Sequence, residues 1–540
     1  DDAKILLVSA SGRASVFLDY STSEMISLLA TVSAAAAAAI LALVLLSRSA
    51  TVRQCVYRLN HWYVHRYKNG VYLNGRKLEA YTEPQPIFGT SLKQMNDPSG
   101  QLEEILKNAK KNGGFYLGYV FGDPVVGVTN RKYANEVLGM KFTMKNSTRD
   151  LGSLVPVFGL MFRKHIGLVG SDEWKRYHKL WMRGIGSKHH QRIFKCILES
   201  AQQVIASFDE AMPKEGAAVR DMDVTVTGFT LKSVMKLALG QNAVNEETKE
   251  IAKLVLQVFR QGTSPLYMMN AFLSLPLEGP SRLHRNIAGM RDFTRNYIEK
   301  YRAEMKSGKK QTEDCFLKAM VTDGEDGYEF SDEECIDNVL GMVTAASDTT
   351  SASIMHTLIM LATHHDVQER ARDEIRTFLA TNATEELTDV KVLDGLPYLS
   401  AAIKETLRLF PTVHNSIFRT TTKQVQLGPL TIPKGCNVHV PPFVTNRDPE
   451  LWGDDADQFN PDRFLKGETK GTVNLMDTCD GAFNTFGGGF RSCIGKRLAS
   501  QALKVFLMLL LQKFRFELLP DHKTSKHWKT TIGLTIPKKE

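Results

Sequence analysis

The sequence predicts a mainly α-helical protein with small β-sheets, a single large domain standing behind an N-terminal transmembrane helix. Three observations carry that expectation. Apolar residues recur at helical spacing along 187–211, 248–260, 284–306, 332–362 and 501–514. Strand-like pieces are short, at 125–128 and then at 424–433 and 437–440 around a Pro-Lys-Gly turn. Residues 25–46 run for 22 positions without a charge, long enough for a helix to cross a bilayer.

That run, MISLLATVSAAAAAAILALVLL, follows Asp19 and Glu24 and precedes Arg48, Arg53, Arg58, Arg66 and Lys68. No basic stretch leads it, which favours a signal anchor over a cleaved signal peptide. The excess of basic residues behind it places the bulk of the chain on the cytosolic side. Residues 1–24 read as an incomplete or misplaced start, with Met25 as the alternative. Residues 47–90 form a juxtamembrane segment. Within it Val52, Val56, Leu59, Tyr63 and Tyr67 share one helical face, which suits a helix on the membrane surface and equally one packed on the body. EPQPIFG, at 83–89, is a stiff hinge. Residues 91–540 make up the domain. Its loop at 261–280 is too proline-broken for one helix, and 265–275 (PLYMMNAFLSL) is too apolar to be left in water, so contact with the bilayer is expected there.

Composition narrows the function. A chain of 540 residues with 43% hydrophobic residues buries a large core. Its seven cysteines are scattered without a CxxC pair, which excludes a disulfide scaffold and a zinc ribbon and fits a reducing compartment. The net charge of +9 comes without a lysine-rich tail or finger spacing, so it describes a basic face and no nucleic-acid partner is expected. No G-x-G-x-x-G follows a strand, so the chain carries no nucleotide fingerprint of its own.

The chemistry concentrates in FNTFGGGFRSCIG, at 483–495. Three consecutive glycines cost backbone order and form neither a good helix nor a good strand. They make sense if something bulky lies against the backbone. A cysteine thiolate donates strongly to haem iron and primes it for O–O cleavage. Such a ligand needs a thin loop, and backbone N–H groups that tune the sulfur. Phe486, Gly489, Cys493 and Gly495 give the spacing F-x-x-G-x-x-x-C-x-G, and Arg491 stands two residues ahead of the cysteine.

This stretch resembles the cysteine loop of the cytochrome P450 superfamily, and other motifs follow in the family's order. KETLR sets Glu405 and Arg408 three apart on one helix face, and FNPDRF supplies Arg463 to close a Glu–Arg–Arg network that staples structure. TAASDTTSAS, at 344–353, resembles the distal helix that crosses the haem, with Asp348 and Thr349 as an acid–alcohol proton relay. The competing reading of Thr349 is a back-bond within its helix. Ala346 stands where the family usually has glycine. SDEWKRYHKLW looks like the family's W-x-x-x-R element: Trp174 fits, while His178 replaces the arginine that would hold a propionate. Lys175, Arg176 and Lys179 are expected to compensate. Arg419 is a further propionate candidate, or a charge at a strand edge.

The resemblance implies the cytochrome P450 fold and haem b, with Cys493 as its iron ligand. Arg491, Trp174, His178 and Arg419 would surround the propionates, with Phe486, Gly489 and Gly495 shaping the loop. It also implies a monooxygenase that inserts one oxygen atom of O₂ into a lipophilic small molecule. Electrons would come from an NADPH-dependent flavoprotein reductase, at the endoplasmic reticulum membrane, with a lipid bilayer as the further partner. The cavity would be lined from 147–164, 261–277 and 412–418. Two alternatives are a haem-thiolate isomerase or dehydratase acting on peroxides, which has little use for Asp348 and Thr349, and a non-catalytic haem sensor.

Overall fold

The computed structural model describes residues 3–8, 70–82, 98–120, 123–149, 156–211, 217–241, 245–262, 267, 270–307, 314–322, 330–382, 387, 389–415, 417–465, 474–518, 528–531 and 534–537. The expected anchor at 25–46, the hinge at 83–89 and most of the juxtamembrane segment lie outside them. Among the described residues no helix is long and apolar enough to cross a membrane.

The longer helices are α1 (Pro98–Lys111), α2 (Arg131–Leu138), α3 (Pro156–Phe162), α4 (Ser171–Ile185), α5 (His190–Glu210), α6 (Met222–Leu239), α7 (Glu246–Gly262) and α8 (Glu278–Ser307). After them come α9 (Asp332–Thr363), α10 (His365–Thr381), α11 (Pro397–Leu409) and α12 (Lys496–Lys513). Each of the five periodic stretches read from the sequence is a helix, most of them longer than the apolar repeat alone suggested. The loop at 261–280 is broken as expected: a single turn, Asn270–Leu273, separates α7 from α8. Of its apolar side chains that are described, Tyr267, Leu273 and Leu277 are buried, Phe272 is half-buried and Leu275 is exposed. Leu266, Met268 and Met269 lie outside the described residues, and with them much of the surface expected to meet the bilayer.

The centre of the molecule is α9. A capping box starts it, with the Ser331 hydroxyl taking the Glu334 N–H and the Glu334 carboxylate taking the Ser331 N–H. From Glu334 to Ala362 it is buried nearly all round, polar residues included, and α6, α8, α11 and α12 pack against it. Within that span Ala345 is exposed, and Ala346, Thr349 and Ile359 are half-buried.

The sheets are small. The largest has five strands in the order Phe115–Val120, Asp123–Val128, Asn437–His439, Arg419–Thr421 and Ser147–Thr148. Its last pair is antiparallel, with Ser147 opposite Thr421 and Thr148 opposite Thr420. Continuing that register by one residue sets Arg149 opposite Arg419. The segment 424–433 is a hairpin, Val425–Leu427 with Leu430–Ile432, turning at Gly428 with φ +56°. Residues Ala3–Val8, read from sequence as a doubtful start, form the middle strand of a parallel sheet between Phe514–Leu518 and Ala217–Asp221.

Candidate functional site

The glycine run has the backbone that only glycine adopts freely. Gly487 and Gly489 have φ of +66° and +62°. A Cβ at Gly489 would collide with the Leu138 carbonyl oxygen at the end of α2, and one at Gly488 would lie 2.8 Å from the Leu138 side chain. The loop therefore lies flat against α2. The Cys493 N–H donates to the Phe486 carbonyl at 2.8 Å, closing the loop on itself, and α12 begins three residues later. Gly489→Ala should combine a strained φ with that collision and lift the loop. We expect lower haem content in the purified protein, read as the ratio of haem to protein absorbance, with full occupancy refuting the close fit.

Cys493 shows two properties that conflict at an ordinary surface. Its side chain is exposed. Burial nevertheless pushes its thiol above the usual value, while the Gly495 N–H, Lys496 and Arg149 pull the other way. Both hold if the exposed surface belongs to an interior cavity; on α9, Ala345, Ala346 and Thr349 are likewise not fully buried.

Beside the sulfur lies a cluster of arginines. Arg149 donates to the Arg491 carbonyl at 3.2 Å, and Arg491 donates to the carbonyls of Val169 (3.1 Å) and Ile166 (3.5 Å). Arg419 donates to the Thr143 hydroxyl at 3.3 Å. None of the three has a carboxylate partner among the described residues, and the Nε atoms of Arg149 and Arg491 are buried without a bond. Burial drives Arg491 down to about 9, with Arg419 adding repulsion, and Arg419 itself down to about 10. Burial and then Arg491 and Arg419 hold Arg149 well below its usual value. Uncompensated buried cations are costly, and an anion of two carboxylates between them would remove the cost. A haem with its two propionates is such a group, so these residues fit it.

Trp174 completes this wall. Phe490 packs on its ring at 4.6 Å and the Arg491 guanidinium lies 5.0 Å from its centroid. His178 is at the expected turn, 4.6 Å from Trp174, but burial lowers its pKa below the usual 6.5, so it does not supply arginine's fixed charge. Arg176, expected to compensate, is instead paired with Glu334 at 3.1 Å. Arg149, from a different element, is the further cation next to Arg491 and Arg419.

The Glu–Arg–Arg network assembles. Arg408 donates to both Glu405 oxygens at 2.6 and 2.8 Å, Arg463 reaches Glu405 at 3.3 Å, and Glu405 and Arg408 are fully buried. Arg408 also bonds the carbonyls of Asn446, Ala456 and Gln458, and Arg463 pairs with Asp455 at 2.9 Å.

On α9 the structure separates the expected pair. Consecutive helical residues project about 100° apart. Thr349 donates to the Ala345 carbonyl at 2.6 Å, the back-bond that competed with the relay reading, while remaining on the open face. The Asp348 carboxylate is buried and turned to α7, where Arg260 grips it at 2.7 Å. Of the expected cavity walls, α3 and α7 meet closely: Phe158 stacks on Phe259 at 4.8 Å, and a Cβ at Gly262 would lie 2.7 Å from Val157.

The cytochrome P450 family model matches residues 80–540. The chain belongs to the cytochrome P450 family. Similar proteins include Cytochrome P450 72A11 of Arabidopsis thaliana, 24% identical over 516 residues, covering 90% of this chain and 96% of that protein. Cytochrome P450 72A397 of Kalopanax septemlobus is 26% identical over 507 residues, covering 87% and 92%. Echinocystic acid 23-monooxygenase of Saponaria officinalis is 28% identical over 467 residues, covering 82% and 84%. The P450 is accordingly a haem-thiolate monooxygenase with haem b as its cofactor.

Proposed function

We propose that this P450 inserts one atom of O₂ into a lipophilic organic substrate, with electrons from an NADPH-dependent flavoprotein reductase. The domain would face the cytosol at the endoplasmic reticulum membrane, anchored by residues 25–46. The observation that carries the reading is an exposed cysteine thiol on a tightly bent glycine loop, beside three arginines that have no carboxylate partner among the described residues. One relative's name, echinocystic acid 23-monooxygenase, supports a lipophilic organic substrate.

When bound, the haem supplies oxygen activation and the oxidising power for insertion into a C–H bond. Cys493 would hold it from one side as thiolate, with the Gly495 N–H, Lys496 and Arg149 favouring the charged sulfur. Arg149, Arg419 and Arg491 would neutralise the propionates, with Trp174 and His178 closing their edge. Lys496 and Arg497, at the start of α12 behind the cysteine, offer basic charge for an acidic reductase face. Thr349, on the open part of α9, would hold a proton at its hydroxyl for the oxygen chemistry that the haem supplies. Asp348 would serve it indirectly, because its carboxylate is engaged by Arg260.

The test is reconstitution with reductase and NADPH, following NADPH consumed, hydrogen peroxide released and product formed side by side. For Thr349→Ala we expect haem binding and NADPH consumption to persist while product per NADPH falls, about 10²-fold in the proton-dependent step. Peroxide should account for the lost product. Asp348→Asn should slow turnover and leave coupling nearly intact, because it weakens the bond to Arg260 and keeps the hydroxyl. Unchanged coupling in Thr349→Ala would remove the threonine from the mechanism. Product formed from an organic peroxide with no reductase, and indifferent to either substitution, would turn the reading to an isomerase.

A further inference from the structure

The glycine loop that carries Cys493 is entered through Thr485, whose hydroxyl is engaged on both sides. It donates to the Leu407 carbonyl at 2.8 Å and accepts an N–H of the Asn446 side chain at 3.0 Å. The first bond has its cause in the sequence of α11. In a continuing helix the carbonyl of residue 407 would take the N–H of residue 411. Position 411 is proline, which has no N–H, and α11 stops at Leu409. Leu407 is buried, so this orphan acceptor of the helix end needs a donor from the protein. The Thr485 hydroxyl is that donor.

Asn446 is fully buried, and both ends of its amide are used. Its Oδ1 accepts the Asn484 N–H at 3.2 Å while its Nδ2 donates to Thr485. The neighbours dictate that orientation. A backbone N–H can only donate, so it meets the oxygen; the Thr485 hydroxyl has given its one proton to Leu407, so it can only accept from the nitrogen. The Asn446 carbonyl in turn accepts Arg408 at 2.7 Å. The bonds therefore close a ring, from Leu407 through its neighbour Arg408 to Asn446, on to Thr485 and back. Along it donor follows donor, Asn446 to Thr485 to Leu407, and each bond in such a chain strengthens the next.

The residue of the sulfur hangs from this ring. Thr485 is followed by Phe486, whose carbonyl accepts the Cys493 N–H at 2.8 Å, and the Asn484 carbonyl accepts the Gly487 N–H at 2.8 Å. Two of the arginines that fit the propionates, Arg149 and Arg419, come from other parts of the chain. Holding haem and holding the sulfur are thus separable tasks.

We propose that Thr485 and Asn446 are positioning residues for the iron ligand: their amide-to-hydroxyl chain fixes the entry of the cysteine loop and so keeps haem, once loaded, bound through the Cys493 thiolate. Groups beyond the ligand itself commonly set how firmly a metal is held. Without the hydroxyl, a buried carbonyl loses its donor and a buried amide N–H its acceptor, and a shift of the loop entry would relieve both. The inference rests on Cys493 being the iron ligand, and its measurement needs neither substrate nor reductase.

The experiment follows the chemically reduced carbon monoxide complex of the purified haem protein over time. It records the red-shifted thiolate band, the unshifted band that replaces it, total haem and the thermal transition. Thr485→Val keeps the shape of the side chain and removes the hydroxyl. We expect haem content near that of the wild type, with conversion to the unshifted band faster by about tenfold, the order expected for one buried hydrogen bond lost. Thr485→Ser, which keeps the hydroxyl, should bring the rate back to the wild-type level. Asn446→Ala should also speed conversion, and joined to Thr485→Val it should add little, because the two residues act in one chain. It decides the matter if Thr485→Val fails to fold. A wild-type rate in both single variants would overturn the proposal. So would Thr485→Ser behaving like Thr485→Val, or haem content and thermal transition falling in step with the thiolate band, which would make the pair general packing. A wild type lacking the red-shifted band would instead remove Cys493 as the ligand, and this inference with it.

Discussion

Cys493→His should yield a haem protein whose reduced carbon monoxide complex lacks the strongly red-shifted Soret band of thiolate ligation, and whose NADPH-supported turnover is lost. Thiolate is the ligand that pushes electron density toward O–O cleavage, and imidazole is a far weaker donor. The other described cysteines cannot take its place. Cys196, Cys315, Cys335 and Cys436 are buried in the core, and Cys479 is bonded within its own turn to Asp477. Haem content should fall less than activity, because the arginine cluster and the flat glycine loop remain. A red-shifted band surviving in the variant would mean that another sulfur is the ligand, and the site described around 483–495 would be wrong.

Arg408→Leu should cost about 3–5 kcal/mol, the penalty for removing one partner of a buried ion pair. That is a large part of the roughly 5–15 kcal/mol by which a domain is stable. The loss has two sources. Glu405, fully buried, would keep only the Asn460 N–H at 2.9 Å and Arg463 at 3.3 Å. The carbonyls of Asn446, Ala456 and Gln458 would lose the guanidinium that joins them. The expected result is a thermal transition many degrees lower and poor retention of haem, since the same meander leads into the cysteine loop: Asn446 bonds the Thr485 hydroxyl and the Asn484 N–H. Glu405→Leu combined with Arg408→Leu should be less harmful than the single change, because no charge is then left unpaired. A double variant worse than the sum of the two singles would contradict the electrostatic origin.

What the sequence revealed was whatever is local. Cys493, its glycines and Arg491 lie within one loop, so spacing alone exposed them. Glu405 and Arg408 are one helical turn apart, and Arg463 followed from a second short motif. The long helices announced themselves by period. Arg149 and Arg260 escaped because what matters about each is a distant partner: Arg149 meets the Arg491 carbonyl 342 residues away, and Arg260 meets Asp348 across 88. A lone arginine in an apolar stretch carries no pattern. The one signal available for Arg149 was strand register, which depends on pairing that sequence does not state. The W-x-x-x-R position is legible in spacing only: it puts His178 beside Trp174, but the lowering of its pKa by burial and the pairing of Arg176 with Glu334 depend on packing. Asp348 and Thr349 were read together because they are neighbours in sequence, whereas a helix turns neighbours apart.

Asp337 accepts the Lys164 N–H at 2.8 Å and Asn338 accepts the Ile166 N–H at 3.3 Å, a clamp on residues 164–166 that affects how the molecule breathes. By shape this segment is a connection between helices, and amide hydrogens in such connections usually exchange with solvent through small local fluctuations. Here the N–H groups of Lys164 and Ile166 are tied to side chains in the first turns of α9, so releasing them requires those turns to loosen as well. In cooperative terms the segment belongs to α9 and not to the helices it joins. Its deuterium uptake should be slow and should track that of α9, so that a connection between helices behaves as core in the time domain.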